Sequence, residues 1–170
     1  MKYCGIIPND IVNGIGVCVS FWVQGCPEPH CKGCHNPKGW DFNGGMNLPK
    51  DYLESIDKAI IDNNVHRNFS VLGGEPLCKE NIPLVKNVLE HVKKEYPDIK
   101  TFVWTKYIYE DIRNEKVFKY IDILIDGPFI LKKRDVTLPL RGSDNQRIID
   151  VKKSLKEKKT VVIPDSEFFK

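Results

Sequence analysis

Three of the six cysteines lie within nine residues, at Cys26, Cys31 and Cys34. They follow an apolar run, residues 17–23, and the loop that carries them is rich in glycine, proline and histidine. Thiolates are soft ligands, and closely spaced cysteines are how proteins hold iron–sulfur clusters. Three thiolates leave one iron of a four-iron cluster without a protein ligand, and this open position can bind and activate a small molecule. The spacing therefore predicts a reactive iron–sulfur site.

Other uses of these thiols remain open at this point. A structural zinc site could combine the three cysteines with His30 or His35, since zinc ligands often lie two to four residues apart. Such sites usually take a second ligand pair from further along the chain, whereas the remaining cysteines here are isolated, at Cys4, Cys18 and Cys78. The clustered cysteines could also be core or incidental residues. A disulfide framework has the least support, because nothing indicates secretion.

Composition limits the class of protein. The chain has 170 residues, which suits one domain with its own core, and 41% hydrophobic with 29% charged residues is typical of a soluble globular protein. The 26 Lys and Arg exceed the 23 Asp and Glu by only three, so nucleic acid is not indicated as a partner. No apolar run is long enough for a membrane span, and no signal peptide is recognisable. We expect a cytoplasmic protein with reduced thiols.

Predicted strands alternate with predicted helices. Short runs of β-branched and aromatic residues indicate strands at 17–23, 69–72, 99–104, 121–125 and 147–151. Apolar residues spaced by three and four indicate helices at about 49–63, 82–96 and 109–120. Residues 3–16 are expected to be irregular, residues 152–159 to be a solvated basic run, and residues 160–163 to be a last strand or an extended tail.

This alternation predicts an α/β fold with a parallel sheet and right-handed crossovers. An eight-unit barrel takes about 250 residues, so this chain has room for about five or six units, which indicates an open, partial (βα) barrel. We expect a single domain over 1–170, with its core at about 10–151 and a basic C-terminal extension over 152–170. Active sites of such folds lie beyond the carboxyl ends of the strands. Four motifs occupy such positions: Gln24-Gly25-Cys26, Gly73-Gly74-Glu75-Pro76, Trp104-Thr105 and Asp126-Gly127.

The Gly73-Gly74-Glu75-Pro76 motif suits a ligand-binding turn. Two glycines let a ligand approach bare backbone, whose amides and carbonyls can bind polar groups. Glu75 could accept hydrogen bonds from an ammonium, and Pro76 stiffens the exit from the turn. Taken alone the motif is equally compatible with an ordinary turn. Together with a three-cysteine loop after the first predicted strand it indicates a cofactor site.

With these motifs the chain resembles radical S-adenosylmethionine enzymes, and among them the family that activates anaerobic ribonucleoside-triphosphate reductases. The resemblance covers about residues 10–146. The motifs that carry it are Asp10-Ile11-Val12-Asn13-Gly14, Gly25-Cys26-Pro27, Cys31-Lys32-Gly33-Cys34-His35-Asn36-Pro37, Trp40, Gly73-Gly74-Glu75-Pro76-Leu77, Trp104-Thr105, Asp126-Gly127 and Arg141-Gly142-Ser143-Asp144-Asn145-Gln146. The chain departs from the family pattern in having four rather than three residues between Cys26 and Cys31, and we expect the extra residue to form a small bulge.

The resemblance implies a role for each matched residue. The three clustered cysteines would ligate three irons of a 4Fe–4S cluster, whose fourth iron would chelate the amino and carboxylate groups of S-adenosylmethionine. Gly33 and His35 would lie near this cofactor. Gly74 would meet its methionine ammonium through backbone, with Glu75 in support. The remaining residues expected at the cofactor are Cys34, Gly73, Trp104 and Thr105.

The resemblance also implies the reaction and the partners. A reduced cluster would split S-adenosylmethionine into methionine and a 5′-deoxyadenosyl radical, which would take a hydrogen atom from a glycine of the reductase. A low-potential donor such as a flavodoxin or ferredoxin would supply the electron. The polar loop 141–146 shows no core role in the sequence. We expect it to help dock the reductase or to order the site on docking, and an ordinary solvated turn is equally compatible with its composition. The alternatives are another radical S-adenosylmethionine enzyme, either a different glycyl-radical activase or a small-molecule modifier, and a zinc-stabilised binding module without catalysis.

Overall fold

The fold is a mixed α/β arrangement built on one seven-stranded sheet, seen in a computed structural model that describes residues 1–168. The strands are β1 (Lys2–Asp10), β2 (Cys18–Val23), β3 (Met46–Asn47), β4 (Asn68–Gly73), β5 (Thr101–Trp104), β6 (Ile123–Asp126) and β7 (Arg147–Asp150). The helices are α1 (Tyr52–Ile61), α2 (Ile82–Glu95), α3 (Tyr109–Ile112) and α4 (Val151–Glu157). Among residues 1–168, no helix has the length and apolar character needed to cross a membrane.

The centre of the sheet is parallel, as the alternation of strands and helices predicts. The order is β3-β1-β2-β4-β5-β6-β7, and β2, β4, β5 and β6 pair in parallel. Both flanks are antiparallel, because β1 pairs with β2 and β3, and β7 pairs with β6. The prediction of a purely parallel sheet is therefore wrong for the flanks. The connections 11–17 and 127–146 contain no α-helix, and an antiparallel neighbour needs no crossover helix.

The irregular segment predicted for residues 3–16 is wrong over its first half, which forms β1. This strand leaves Ile7, Pro8 and Asn9 exposed, and its pairing with β2 is interrupted twice, between Tyr3 and Gly5 and between Ile7 and Asp10. These irregularities remove the simple alternation by which strands are recognised in a sequence.

Three other predictions need smaller corrections. The helix predicted over 109–120 is divided into α3 and a 3-10 helix, Lys116–Tyr120. The basic run forms α4, whose start is capped by the Asp150 carboxylate accepting from the Lys153 N–H at 2.9 Å. Residues 160–163 contribute an isolated antiparallel bridge between Val162 and Ile149. The remaining predicted strands and α2 agree with the structure to within two residues.

The two faces of the sheet are covered differently. On one face, apolar residues of α1, α2, α3 and the 3-10 helix pack with alternate strand residues such as Phe21, Val71 and Leu124 in the main core. Strand residues of opposite parity, including Phe102 and Ile125, form a smaller cluster with the C-terminal segment. Since successive strand residues point to opposite faces, Trp22 and Trp104 also lie on this second face. This face is left open for a site.

Candidate iron–sulfur site

One cavity of about 580 Å³ lies on the open face of the sheet, at the carboxyl ends of the parallel strands. Trp22, Leu72, Gly73 and Trp104 line it from the strands, and Gly74, Thr105 and Gly127 from the turns that follow them. The wall also contains most of the residues predicted as site residues: Cys26, Cys31, Cys34, His35, Gly73, Gly74, Glu75, Trp104 and Thr105. Gly33 is the exception. Its φ of +79° lets the loop turn, and a Cβ there would lie 3.0 Å from a methyl group of Leu131.

The cysteine loop is closed at its base by main-chain hydrogen bonds. The Gly25 N–H donates to the Gly39 carbonyl at 2.8 Å, and the Cys26 N–H donates to the Trp40 carbonyl at 2.9 Å. The buried Gln24 amide donates to two further carbonyls of the returning chain, those of Lys38 at 2.9 Å and Asp41 at 2.7 Å. These hydrogen bonds fix the position of the cysteine loop at the end of β2.

The three thiols line the cavity and differ in how deeply they are buried. Cys26 is buried, whereas Cys31 and Cys34 are half-buried. The Cys34 N–H donates to the Cys31 carbonyl at 3.1 Å, which forms a turn, and the Asn36 N–H points at the Cys34 sulfur at 3.4 Å. Burial raises the pKa of the Cys26 thiol to about 11, against a lowering effect of Lys106, and burial also raises the pKa of Cys31. Thiolates at these positions therefore need a positively charged partner such as iron.

The two histidines that a zinc site would use have other partners in the structure. Among residues 1–168, no three His, Cys, Asp or Glu side chains converge closely enough to hold one metal ion. His30 lies 2.9 Å from the Cys26 carbonyl and stacks on Trp40 at 4.2 Å, and His35 packs edge-on against Phe129 at 5.4 Å. Cluster thiolates each bind a different iron, so they need only share one cavity.

The turn after β4 is glycine-rich because three main-chain segments meet there. A Cβ on Gly74 would lie 2.1 Å from the Gly25 carbonyl oxygen and 2.7 Å from that of Gly39, and a Cβ on Gly73 would lie 2.4 Å from the Val23 oxygen. The Gly74 N–H donates to Val23 at 2.9 Å. The glycines therefore join the turn to the base of the cysteine loop, a role that the sequence did not reveal.

Glu75 holds the neighbouring loop in place. Its carboxylate is 1% exposed and accepts from the Thr105 hydroxyl at 2.6 Å, the Lys106 N–H at 2.7 Å and the Leu77 N–H at 3.0 Å. Burial raises the pKa of this carboxyl group, and these three donors oppose that rise. Glu75 lines the cavity, but its carboxylate oxygens already accept three hydrogen bonds from the protein. A hydrogen bond from a ligand ammonium would be added to these three.

Two residues that sequence reasoning did not select support the site. The buried Asn81 amide donates to the carbonyls of Gly25 and Glu75, both at 3.0 Å, and so ties the cysteine loop to the turn after β4. The Lys106 ammonium donates to the Pro27 carbonyl, and to the Pro29 carbonyl at 3.1 Å. Lys106 directly follows the Trp104-Thr105 motif, and this position in the sequence could have identified it. Asn81 precedes α2 and resembles an ordinary helix cap in the sequence.

A cover segment, residues 129–142, forms a further part of the cavity wall. It contributes Phe129, Arg134, Val136, Leu138, Leu140, Arg141 and Gly142 to the wall. The Trp104 indole donates to the Leu140 carbonyl at 2.7 Å, which joins the segment to β5. Arg134 and Ser143 form an isolated antiparallel bridge that closes its base.

The polar loop 141–146 is part of this framework. Arg141 forms a two-pronged ion pair with Asp165, at 2.5 and 2.6 Å, and Ser143 is fully buried. The Gln146 side-chain oxygen accepts from the N–H groups of Gly142 and Ser143, at 3.0 and 3.2 Å. The sequence suggested no structural role for this loop, and that expectation is wrong.

The cavity, the thiol loop and a family match define the class of the protein. Residues 12–149 match the family model described as a 4Fe-4S single cluster domain. That stretch begins in the loop before β2 and ends in β7, so it contains the three clustered cysteines and the parallel strands. The protein is of the iron–sulfur cluster class.

Named relatives narrow the class further. Anaerobic ribonucleoside-triphosphate reductase-activating proteins of Haemophilus influenzae and of the Enterobacteria phage T4 are 35% and 36% identical to the chain. Each alignment covers 87% of this chain, and 97% and 93% of the respective relative. The protein of that name from Escherichia coli K12 is 33% identical over 86% of this chain and 96% of its own length. The chain belongs to the family of anaerobic ribonucleoside-triphosphate reductase-activating proteins.

Proposed function

We propose that the protein activates an anaerobic ribonucleoside-triphosphate reductase, using a 4Fe–4S cluster and S-adenosylmethionine to generate a glycyl radical on that partner. The observation that carries the proposal is the placement of Cys26, Cys31 and Cys34 on one cavity with the Gly73-Gly74 turn. The name shared by the relatives, anaerobic ribonucleoside-triphosphate reductase-activating protein, supports the choice of partner. The bound cofactors supply the one-electron chemistry that no side chain can perform.

The proposed architecture is the open, partial barrel of radical S-adenosylmethionine enzymes, as one domain. Four parallel strands with helices packed on one face support this assignment, as does the position of the cavity at their carboxyl ends. The C-terminal extension contributes to the domain, since the Asp150 and Ile163 N–H groups donate to the carbonyls of Val161 and Ile148, at 2.9 and 2.7 Å.

The chain's own residues bind and orient the cofactors. The three clustered thiolates hold the cluster, and Gly33 and His35 lie beside the last of them. The methionine ammonium of S-adenosylmethionine is a donor, so the backbone carbonyls at Gly73 and Gly74 would be the groups that bind it, with Glu75 in support. Trp104 and Thr105 bound the other side of the cavity.

The cavity walls would limit the access of water to the radical chemistry. Trp22, Trp40, Trp104 and Phe129 contribute large aromatic side chains to the wall, and the cover segment forms a further part of it. The side that remains open is where the glycine-bearing segment of the reductase enters. We place the protein in the cytoplasm, with a flavodoxin or ferredoxin as its electron source.

The test is anaerobic reconstitution with iron and sulfide, followed by reduction in the presence of S-adenosylmethionine and the cognate reductase. We expect about four irons per chain, cleavage of the cofactor, and the doublet of a glycyl radical in the EPR spectrum. Cofactor cleavage without the doublet would indicate another substrate, and stoichiometric zinc without iron would refute the cluster.

Matched cysteine variants assign the ligands. Cys31→Ala should lose the iron and the cleavage activity, whereas Cys78→Ala removes a fully buried thiol outside the cavity wall and should keep both. Equal iron content in the two variants would remove Cys31 from the ligand set.

A further inference from the structure

A second depression, of about 530 Å³, lies on the outer side of the cysteine loop. It shares Cys31, Lys106 and Phe129 with the cavity described above, so these residues form a wall with the cofactor cavity on one side and solvent on the other. Of the three proposed cluster ligands, Cys31 is the one that lines both the cofactor cavity and this outer depression.

The depression has an apolar floor and a basic edge. Two of its residues, Ile130 and Leu131, are large aliphatic residues adjacent in the sequence, and they are 38% and 45% exposed. Lys32 and Lys132 are exposed at its edge, and neither takes part in an ion pair within residues 1–168. Lys133 follows directly in the sequence and is also exposed. No acidic side chain lines this depression among the described residues.

We propose that this basic, apolar face, defined by Lys32, Ile130, Leu131 and Lys132, docks an acidic, low-potential electron-carrier protein. The proposal rests on the proposed function, because that chemistry requires a supply of single electrons. An exposed apolar centre with a charged rim is typical of protein interfaces. Lysines free of internal partners attract an acidic surface and speed its encounter.

The position explains why the carrier would bind here. Electron tunnelling weakens steeply with distance, so a donor must approach a ligand of the cluster closely. In the docked complex one electron leaves the carrier and enters the cofactor held by the three thiolates, and no bond is made or broken. The carrier and the reductase would use different faces, since the reductase must reach the cofactor cavity on the other side of this wall.

The experiment measures binding of a bacterial flavodoxin to the reconstituted protein by anaerobic calorimetry, and the rate at which the reduced flavodoxin reduces the cluster. The variant Lys32→Glu/Lys132→Glu reverses two charges at the depression. The control Lys58→Glu/Lys116→Glu reverses two exposed lysines that lie outside it. We expect the first variant to weaken binding about tenfold or more and to slow reduction equally, and the control to change either by less than about twofold at 0.15 M salt.

A small uncharged reductant separates docking from function. Photoreduced 5-deazariboflavin should support the same glycyl-radical yield in the parent and both variants, with unchanged iron content. Equal losses in the two variants, no loss in either, or no binding of flavodoxin or a plant-type ferredoxin to the parent would overturn the proposal. Failure of the proposed function would instead remove the radical even with the small reductant.

Discussion

Gly74 lies directly against the Gly25 carbonyl: a Cβ at position 74 would stand 2.1 Å from that oxygen, well inside contact distance. The Gly25 carbonyl also accepts from the Glu75 N–H at 2.8 Å and from the Asn81 amide at 3.0 Å. The turn after β4 and the base of the cysteine loop therefore form one unit. A change in the turn is transmitted to the thiols, even without contact with a ligand.

Gly74→Ala should consequently impair cluster assembly as well as cofactor binding. The new methyl group meets rigid main chain on two sides, and we expect a loss of about 3 kcal/mol in the free energy of unfolding. Iron content after reconstitution should fall together with the denaturation midpoint. Gly16→Asn is a suitable control, because its position is open and asparagine tolerates its φ of +71°. Full iron content in Gly74→Ala would show that the turn acts only on the ligand.

Lys106 provides a tether for the long gap between Cys26 and Cys31. Its ammonium donates to two carbonyls of the Pro27–Pro29 segment. Lys106→Met keeps the aliphatic stem but loses both bonds, so iron should leave to a chelator several-fold faster while the fold loses only about 1–2 kcal/mol. Lys106→Arg should restore part of the retention. Lys100→Met, at an exposed lysine outside the cavity wall, should behave like the parent. Equal rates of iron loss in Lys106→Met and the parent would contradict the tether.

The parallel strands and the placement of the site could be predicted from the sequence, for a physical reason. Strands buried on both faces appear as short apolar runs, and chemistry collects at their carboxyl ends. The sequence alone therefore predicts that Cys26, Gly74 and Thr105 lie at one site, and all three line the same cavity. β1 could not be found, because bulges and exposed residues obscure its period.

Contacts between segments that are distant in the sequence could not be predicted. Asn81 reaches Gly25 across 56 residues, and Lys106 reaches Pro27 across 79. No spacing rule identifies such pairs, because each depends on how the crossovers place two loops side by side. The loop between Cys26 and Cys31 is an example, since Lys106, which holds it, lies just after the end of β5.

The Asp10 carboxylate organises the loop before β2, and its ionisation should make stability depend on pH. Its oxygens accept from the N–H groups of Val12 and Asn13, from the Asn13 amide and from the Ser20 hydroxyl, at 2.7–3.0 Å. Burial alone would raise the pKa of Asp10, but these donors hold it below its ordinary value of 3.8. A carboxyl group with a lowered folded-state pKa stabilises the fold above its unfolded pKa, and this contribution is lost as the pH falls through the folded value.

Asp10→Asn should therefore cost about 1–2 kcal/mol at pH 7 and flatten the decline in stability below about pH 4. The measurement is the free energy of urea unfolding of the apoprotein between pH 7 and 3. Asp51→Asn, at an exposed carboxylate that makes no capping bond, serves as the control. Parallel curves for Asp10→Asn and the parent would rule out this carboxylate as the source.

The ion pair between Arg141 and Asp165 joins the cover segment to the C-terminal extension. Variants of these two residues distinguish a structural role of the loop 141–146 from a docking role. The Arg141 side chain is 10% exposed, and its partner carboxylate is 35% exposed. Asp165→Ala leaves the largely buried Arg141 guanidinium without its partner, and Arg141→Ala leaves the partly exposed Asp165 carboxylate without its partner. Each variant should therefore lower the free energy of unfolding by about 1–3 kcal/mol. The double variant should cost less than the sum, because the two residues interact directly. The measurements are the free energy of unfolding, the iron content and the glycyl-radical yield of all three variants. A docking role predicts a different pattern, in which Arg141→Ala loses the radical at unchanged stability and Asp165→Ala loses nothing.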